Sequence, residues 1–215
     1  MGAIIQNLLF KGFFLLFILV CHNSYGQFHH GLELGANMTN ADFMIGESAE
    51  PSNSFGFFIG YVAERDFSDN LYLRFGANYN RREFNAISRR GINTSNETWG
   101  IDVIEVPLNL GYYLNWNNRN YQFFVDAGMN LGYNSRAFTK TDEETIRLDI
   151  GGDADIDRIT IGANVGAGLL IKRRLKIRLN YYTSLSDIVN TEEDTWKNKT
   201  FGLSINYFFK EKLDY

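Results

Sequence analysis

The chain has 215 residues, of which 45% are hydrophobic and 15% aromatic, with 20 glycines but only 2 prolines. This length and composition fit one all-β domain once any targeting segment is removed. The formal net charge of −4 argues against nucleic acid as a partner, because nucleic-acid-binding domains carry a basic surface.

Residues 1–26 have the pattern of a secretory signal peptide. An apolar run over residues 12–21 follows Lys11, and Ser24 and Gly26 place small residues at positions −3 and −1 of a cleavage site before Gln27. An uncleaved anchor helix is the alternative, because the segment is almost long enough to span a bilayer. We predict cleavage.

Cleavage before residue 27 leaves a domain of residues 27–215 without cysteine, which excludes disulfides and thiol chemistry. Cys21 would remain only as a lipidated first residue. Val20 argues against that, because it is branched where the lipoprotein peptidase prefers Gly, Ala or Ser.

Eight later segments carry apolar side chains at every second position. Their bounds in chain order are residues 29–38, 55–63, 71–79, 104–114, 121–133, 159–171, 175–185 and 201–209. The clearest apolar face belongs to the fourth: Ile104, Val106, Leu108, Leu110, Tyr112 and Leu114. A period of two predicts strands, and an even number of strands closes with both chain ends on one side.

The apolar face predicts a barrel in a membrane. It carries no charge, although 21% of the chain is charged, and aromatic side chains gather at both ends of the strands as interfacial girdles. The opposite face holds Gly, Asn and Ser, which suit a narrow lumen. The alternative, a soluble lipocalin-type barrel, would need a charged outer surface. We therefore predict an all-β, eight-stranded antiparallel transmembrane β-barrel, an up-and-down meander.

The connections alternate in length and predict the orientation. They are short after the second, fourth and sixth strands and long after the others. Outer-membrane barrels have short periplasmic turns and longer outer loops. The sequence therefore predicts the bacterial outer membrane with both termini periplasmic, and the expected partners are outer-membrane lipid, lipopolysaccharide and other envelope proteins.

Three segments resemble the PorT-like outer-membrane β-barrel family of Bacteroidota. They are the Gly-rich sixth strand and the runs Gly31-Leu32-Glu33-Leu34-Gly35-Ala36-Asn37 and Ile104-Glu105-Val106-Pro107-Leu108. The resemblance covers nearly the whole of residues 27–215. Some members of that family assist protein secretion, so the resemblance implies the outer membrane and no reaction.

Charged residues on the predicted inward face are expected to form an ion-paired network. An eight-stranded barrel has an interior just wide enough for side chains, and a buried charge is costly unless it is matched. Such a network would block passage through the lumen. Its predicted members are Glu33, Glu64, Arg74, Asp126, Lys176 and Arg178.

A group of arginines falls at the outer end of the third strand and in its loop. These residues are candidates for binding lipopolysaccharide phosphates, because arginine makes bidentate phosphate contacts. Solvated loop charges are the alternative. The group consists of Arg81, Arg82, Arg89 and Arg90.

Asp153, Asp155 and Asp157 have the D-x-D-x-D spacing of an EF-hand loop. Arg158 stands at position six, where the loop needs glycine, and Asn164 stands at position twelve, where it needs glutamate. The segment is therefore not an EF-hand. A weak calcium site and an ordinary acidic loop both remain open.

No catalytic residue and no cofactor are predicted. Lipid-modifying outer-membrane enzymes use Ser, His and acidic groups near the outer rim, whereas His29 and His30 lie at the predicted periplasmic start of the first strand. A binding, assembly or membrane-structural role is therefore the leading hypothesis. A narrow channel for small solutes is the alternative, and a lipid-modifying enzyme is the third.

Overall fold

The computed structural model describes residues 28–45, 48–90, 93–114, 120–141, 144–151, 156–191 and 194–210. The predicted signal peptide and its cleavage site lie outside this range. The described residues form nine strands: β1 (Phe28–Met44), β2 (Ser48–Asp66), β3 (Leu71–Arg90), β4 (Asn93–Leu114), β5 (Tyr121–Lys140), β6 (Thr145–Leu148), β7 (Ile159–Ile171), β8 (Leu175–Ser184) and β9 (Thr195–Phe208). No helix in the described part of the chain is long and apolar enough to cross a membrane.

Eight of these strands close into a barrel. Each is antiparallel to its neighbours, and β9 returns to pair with β1. Following paired residues once around the ring from Ile159 leads back to β7 at Leu169, which is the stagger that tilted strands need for closure. The four-residue β6 pairs only with β5 and lies outside the ring. The predicted eight-stranded antiparallel meander is confirmed.

The outward face carries a broad apolar band. Leu34, Leu110 and Leu179, on three different strands, are 60%, 53% and 64% exposed. Many large apolar side chains exposed at one level are stable against lipid and not against water. The band therefore marks the part of the barrel that crosses the membrane.

Arginine in the middle of this band is expected to be costly. Val125 faces outward and is 44% exposed, and an arginine at the midplane of the lipid face costs about 2–4 kcal/mol. Val125→Arg should lower the urea midpoint of the barrel in lipid vesicles. Asn96→Arg is the control, since residue 96 is exposed on β4 outside the band. Equal tolerance of the two variants would mean that the outward face is not the lipid face.

The two ends of the barrel differ. At the turn end, residues 67–70 and 172–174 join strands directly, and Phe209 N donates to His30 O between the two ends of the chain. At the opposite loop end, the strands continue well past the apolar band. β3 runs to Arg90 and β4 starts at Asn93, although the sequence predicted a long loop between residues 79 and 104. That prediction was wrong.

The loop end was missed because the two faces of the strands exchange polarity there. On β1, Leu32 to Met38 point their apolar side chains outward, but beyond Thr39 the inward residues Ala41 and Phe43 are the buried apolar ones. The outward side chains become polar, and Lys199 Nζ donates to Asp42 Oδ1 at 2.7 Å, which raises the pKa of this lysine. The alternation continues, but its apolar phase shifts by one residue.

The inward side chains of the loop end form a packed aromatic core. Phe43, Phe84, Trp99 and Trp196 pack with ring centroids 4.8–6.0 Å apart, and Trp196 is fully buried. We call this cluster the loop-end core; its buried members are Ala41, Phe43, Phe84, Ala86, Trp99, Ile101, Val103, Ala137, Ile156, Ile188, Val189 and Trp196. Aromatic packing of this kind fills the lumen as the interior of a water-soluble protein is filled.

Candidate functional site: the lumen and the outer wall

Three buried ion pairs occupy the middle of the lumen, which we call the polar layer. Arg74 Nη2 lies 2.7 Å from Glu33 Oε2, Arg178 Nη2 lies 2.6 Å from Asp126 Oδ1, and Arg82 Nη2 lies 2.8 Å from Glu105 Oε1. All six side chains are at most 6% exposed. The charges balance pair by pair, as burial requires.

Each carboxylate of the polar layer also accepts a hydrogen bond from an asparagine. Asn78 donates to Glu33 at 3.2 Å, Asn109 to Asp126 at 2.9 Å, and Asn80 to Glu105 at 2.9 Å. The combination of one guanidinium and one amide satisfies lone pairs that a single ion pair would leave without a partner.

A second apolar layer closes the turn end around a fourth ion pair. Lys176 Nζ contacts Glu64 and lies 4.0 Å from the ring centroids of both Tyr72 and Phe124. The Tyr113 hydroxyl donates to Glu64 Oε2 at 2.9 Å. We call this layer the turn-end core; its buried apolar members are Val62, Tyr72, Tyr113, Phe124, Leu170 and Phe208.

All six residues that the sequence placed in the lumen network face inward and pair with one another. They do so in two groups, because Lys176 and Glu64 lie within the turn-end core and the other two pairs lie in the polar layer. Sequence reasoning missed the pair of Arg82 with Glu105. Arg82 has the same parity as Arg74 and Asn78 on β3, and that signal could have placed it inside.

Little space remains between these side chains. The polar layer encloses a cavity of about 40 Å³, which is room for about one water molecule. The two apolar cores lie on either side of it. Through the described residues, the lumen therefore offers no continuous aqueous path.

The predicted arginine cluster does not lie on one surface. Arg81 faces outward and is held by Asp102, with Nε 2.7 Å from Oδ1 and Nη2 2.9 Å from Oδ2. Arg82 faces the lumen. The backbones of Arg89 and Arg90 belong to β3, but their side chains lie outside the described part of the structure.

Residues 22–190 match the family described as the outer membrane protein beta-barrel domain. The chain belongs to this family. This outer-membrane barrel is therefore a protein of the bacterial outer membrane. The sequence matches no curated protein.

The outer-membrane barrel is similar to several solved structures. Neisserial surface protein A is 14% identical, with 86% of this chain and 100% of that chain covered and a TM-score of 0.49. Ail of Yersinia pestis is 14% identical, with coverage of 85% and 99% and a TM-score of 0.46. OprG of Pseudomonas aeruginosa is 10% identical, with coverage of 84% and 91% and a TM-score of 0.40.

The predicted calcium ligands of the outer-membrane barrel fall mostly outside the described residues. Asp153 and Asp155 lie there, and Asp157 uses its backbone to bridge neighbouring strands: its N donates to Ile188 O at 2.8 Å and its O accepts from Asn134 at 2.7 Å. Within the described ranges, no group of three His, Cys, Asp or Glu side chains could hold a metal. The calcium site stays a prediction.

The two histidines of the outer-membrane barrel lie at its turn end. His29 is buried with Nε2 3.1 Å from Asp66 Oδ2, and His30 stacks on Tyr61 and meets the ring of Phe209. They lie on opposite faces of β1 because they are consecutive residues. Their geometry anchors the first strand to its neighbours.

Proposed function

We propose that the protein is a non-conducting outer-membrane barrel that works through its outer wall and loop end as a binding, assembly or membrane-structural component. Catalysis is not part of this proposal. Among such roles, the resemblance to PorT-like barrels favours one in assembly or secretion.

The observation that carries the proposal is the filled lumen. A solute would have to pass the loop-end core, the three ion pairs of the polar layer and the turn-end core in turn. Opening the polar layer would separate buried charges from their partners, at a cost of several kcal/mol for each pair broken. Work at the surface is what remains for such a barrel.

The proposal includes an orientation with both termini in the periplasm. The turn end has short connections, whereas the strands of the loop end extend past the apolar band and carry a polar outer surface. Short periplasmic turns with a larger outer part are the rule for outer-membrane barrels. The loop end is then the surface that faces the outside of the cell.

The experiment is electrical recording from the purified barrel in planar bilayers, with a known porin as the positive control. We expect no steady ion conductance at any applied voltage, because the three layers block the lumen. Reproducible single-channel steps from the unmodified protein would contradict the proposal and support a narrow channel for small solutes.

A further inference from the structure

Three cations lie side by side on the outer wall at the loop end, and the pairing of β5 explains how they come to face outward. Asp102 pairs with Arg136 and Val103 with Asn134, so Ser135 is an extra, bulged residue. Beyond this bulge, the inward residues of β5 are odd-numbered instead of even-numbered. Arg136 and Lys140 consequently face outward, and Arg147 joins them on β6 opposite Phe138.

These three cations have no carboxylate partner. Within the described residues, Arg136, Lys140 and Arg147 make no ion pair. Arg136 Nε is buried without a hydrogen-bond partner, and its guanidinium lies 5.1 Å from the ring of Phe138. The nearby Asp102 is already occupied by both donors of Arg81. A partly buried guanidinium without an acceptor needs one from outside the chain.

The position of these cations selects the kind of acceptor. On β5 they follow directly after Tyr133, the last ring of the apolar band, which accepts a hydrogen bond from Arg158 at 3.0 Å. Below them, Leu131 and Met129 are 51% and 53% exposed to lipid. A lipid whose acyl chains cover those residues would place its headgroup phosphates at the level of Arg136.

We propose that Arg136, Lys140 and Arg147 bind the phosphate groups of an outer-leaflet lipid headgroup. Arginine suits this ligand, because its fork of donors matches two phosphate oxygens at once and the Phe138 ring orients it. The site rests on the proposed function, since the loop end must face outward for these residues to meet the outer leaflet. It lies on β5 and β6, and Arg81, which the sequence favoured for this role, is neutralised by Asp102.

The test compares two double variants of the full-length protein expressed in the outer membrane. Arg136→Gln with Arg147→Gln removes unpaired cations, whereas Lys197→Gln with Lys199→Gln removes two cations that lie near Asp187 and Asp42. The readout is phosphorylated glycolipid per barrel after mild detergent purification, measured by mass spectrometry. We expect about a tenfold loss in the arginine variant and no change in the lysine variant.

Three further results would decide the matter. Equal lipid retention in both variants, both remaining folded, would overturn the proposal. Titration with inorganic phosphate separates a free anion from a headgroup: saturable binding of phosphate alone, as tight as that of glycolipid, would also overturn it. Orientation is tested separately by labelling Asn96→Cys with a membrane-impermeant maleimide on intact cells. Labelling without any glycolipid loss would reject the headgroup site and leave the proposed function standing.

Discussion

Replacing Arg74 with methionine is expected to lower the free energy of unfolding by about 3–5 kcal/mol. Arg74 is 2% exposed and is the cation within hydrogen-bond distance of Glu33, which would be left charged inside the polar layer with only Asn78 and Ser204 as donors. Methionine keeps most of the volume, so the loss reports on charge and not on a cavity. Urea unfolding in lipid vesicles, followed by tryptophan fluorescence, measures it.

Two companion variants make this result interpretable. Arg81→Met breaks an ion pair of the same length, but Arg81 is 29% exposed, so the expected cost is about 1 kcal/mol or less. Adding Glu33→Gln to Arg74→Met should recover most of the lost stability, because no unpaired charge then remains. Equal costs for Arg74→Met and Arg81→Met would contradict a dry, ion-paired lumen.

Deleting one residue from β5 is expected to abolish the folded barrel at position 129 but not at position 135. Without Met129, one side of the deletion must exchange its inward and outward positions. That exchange would move either Asp126 or the fully buried Asn134 into lipid, where a polar group without partners costs about 2–7 kcal/mol. Without Ser135, the bulge disappears and both Asn134 and Arg136 keep their faces.

Heat modifiability on a gel measures this difference. The Ser135 deletion should still give an unboiled band that migrates faster than the boiled one, with only the hydrogen bond from Ser135 to Asp102 O lost. The Met129 deletion should show the unfolded band alone. Loss of the fast band in both variants would mean that the bulge is needed for folding in its own right.

The membrane part of this barrel could be predicted from the sequence because two constraints act there at once. Lipid requires an apolar outer face, and strand geometry repeats every two residues. The alternation along residues 104–114 therefore gave the strand and its faces. The same parity placed Glu33, Arg74 and Asp126 inside, and the need to pair buried charges predicted that they would meet.

The loop end obeys different constraints, and there the sequence misled. Outside the membrane, water reverses the polarity of the two faces, so Phe43 and Trp99 point inward where Leu34 and Leu108 point outward. A change of phase in the alternation has the same appearance as the end of a strand. Only the ladder between β3 and β4 shows that both strands continue.

The sequence by itself determined that this chain forms a barrel and which face meets lipid, because those properties depend on the type and parity of each residue along its own strand. The tertiary structure decided which charges become partners and where the outer wall carries free cations. Arg82 and Glu105 meet across β3 and β4, and the bulge at Ser135 turns Arg136 outward. Such features depend on register between strands, and register is fixed only when the whole ring closes.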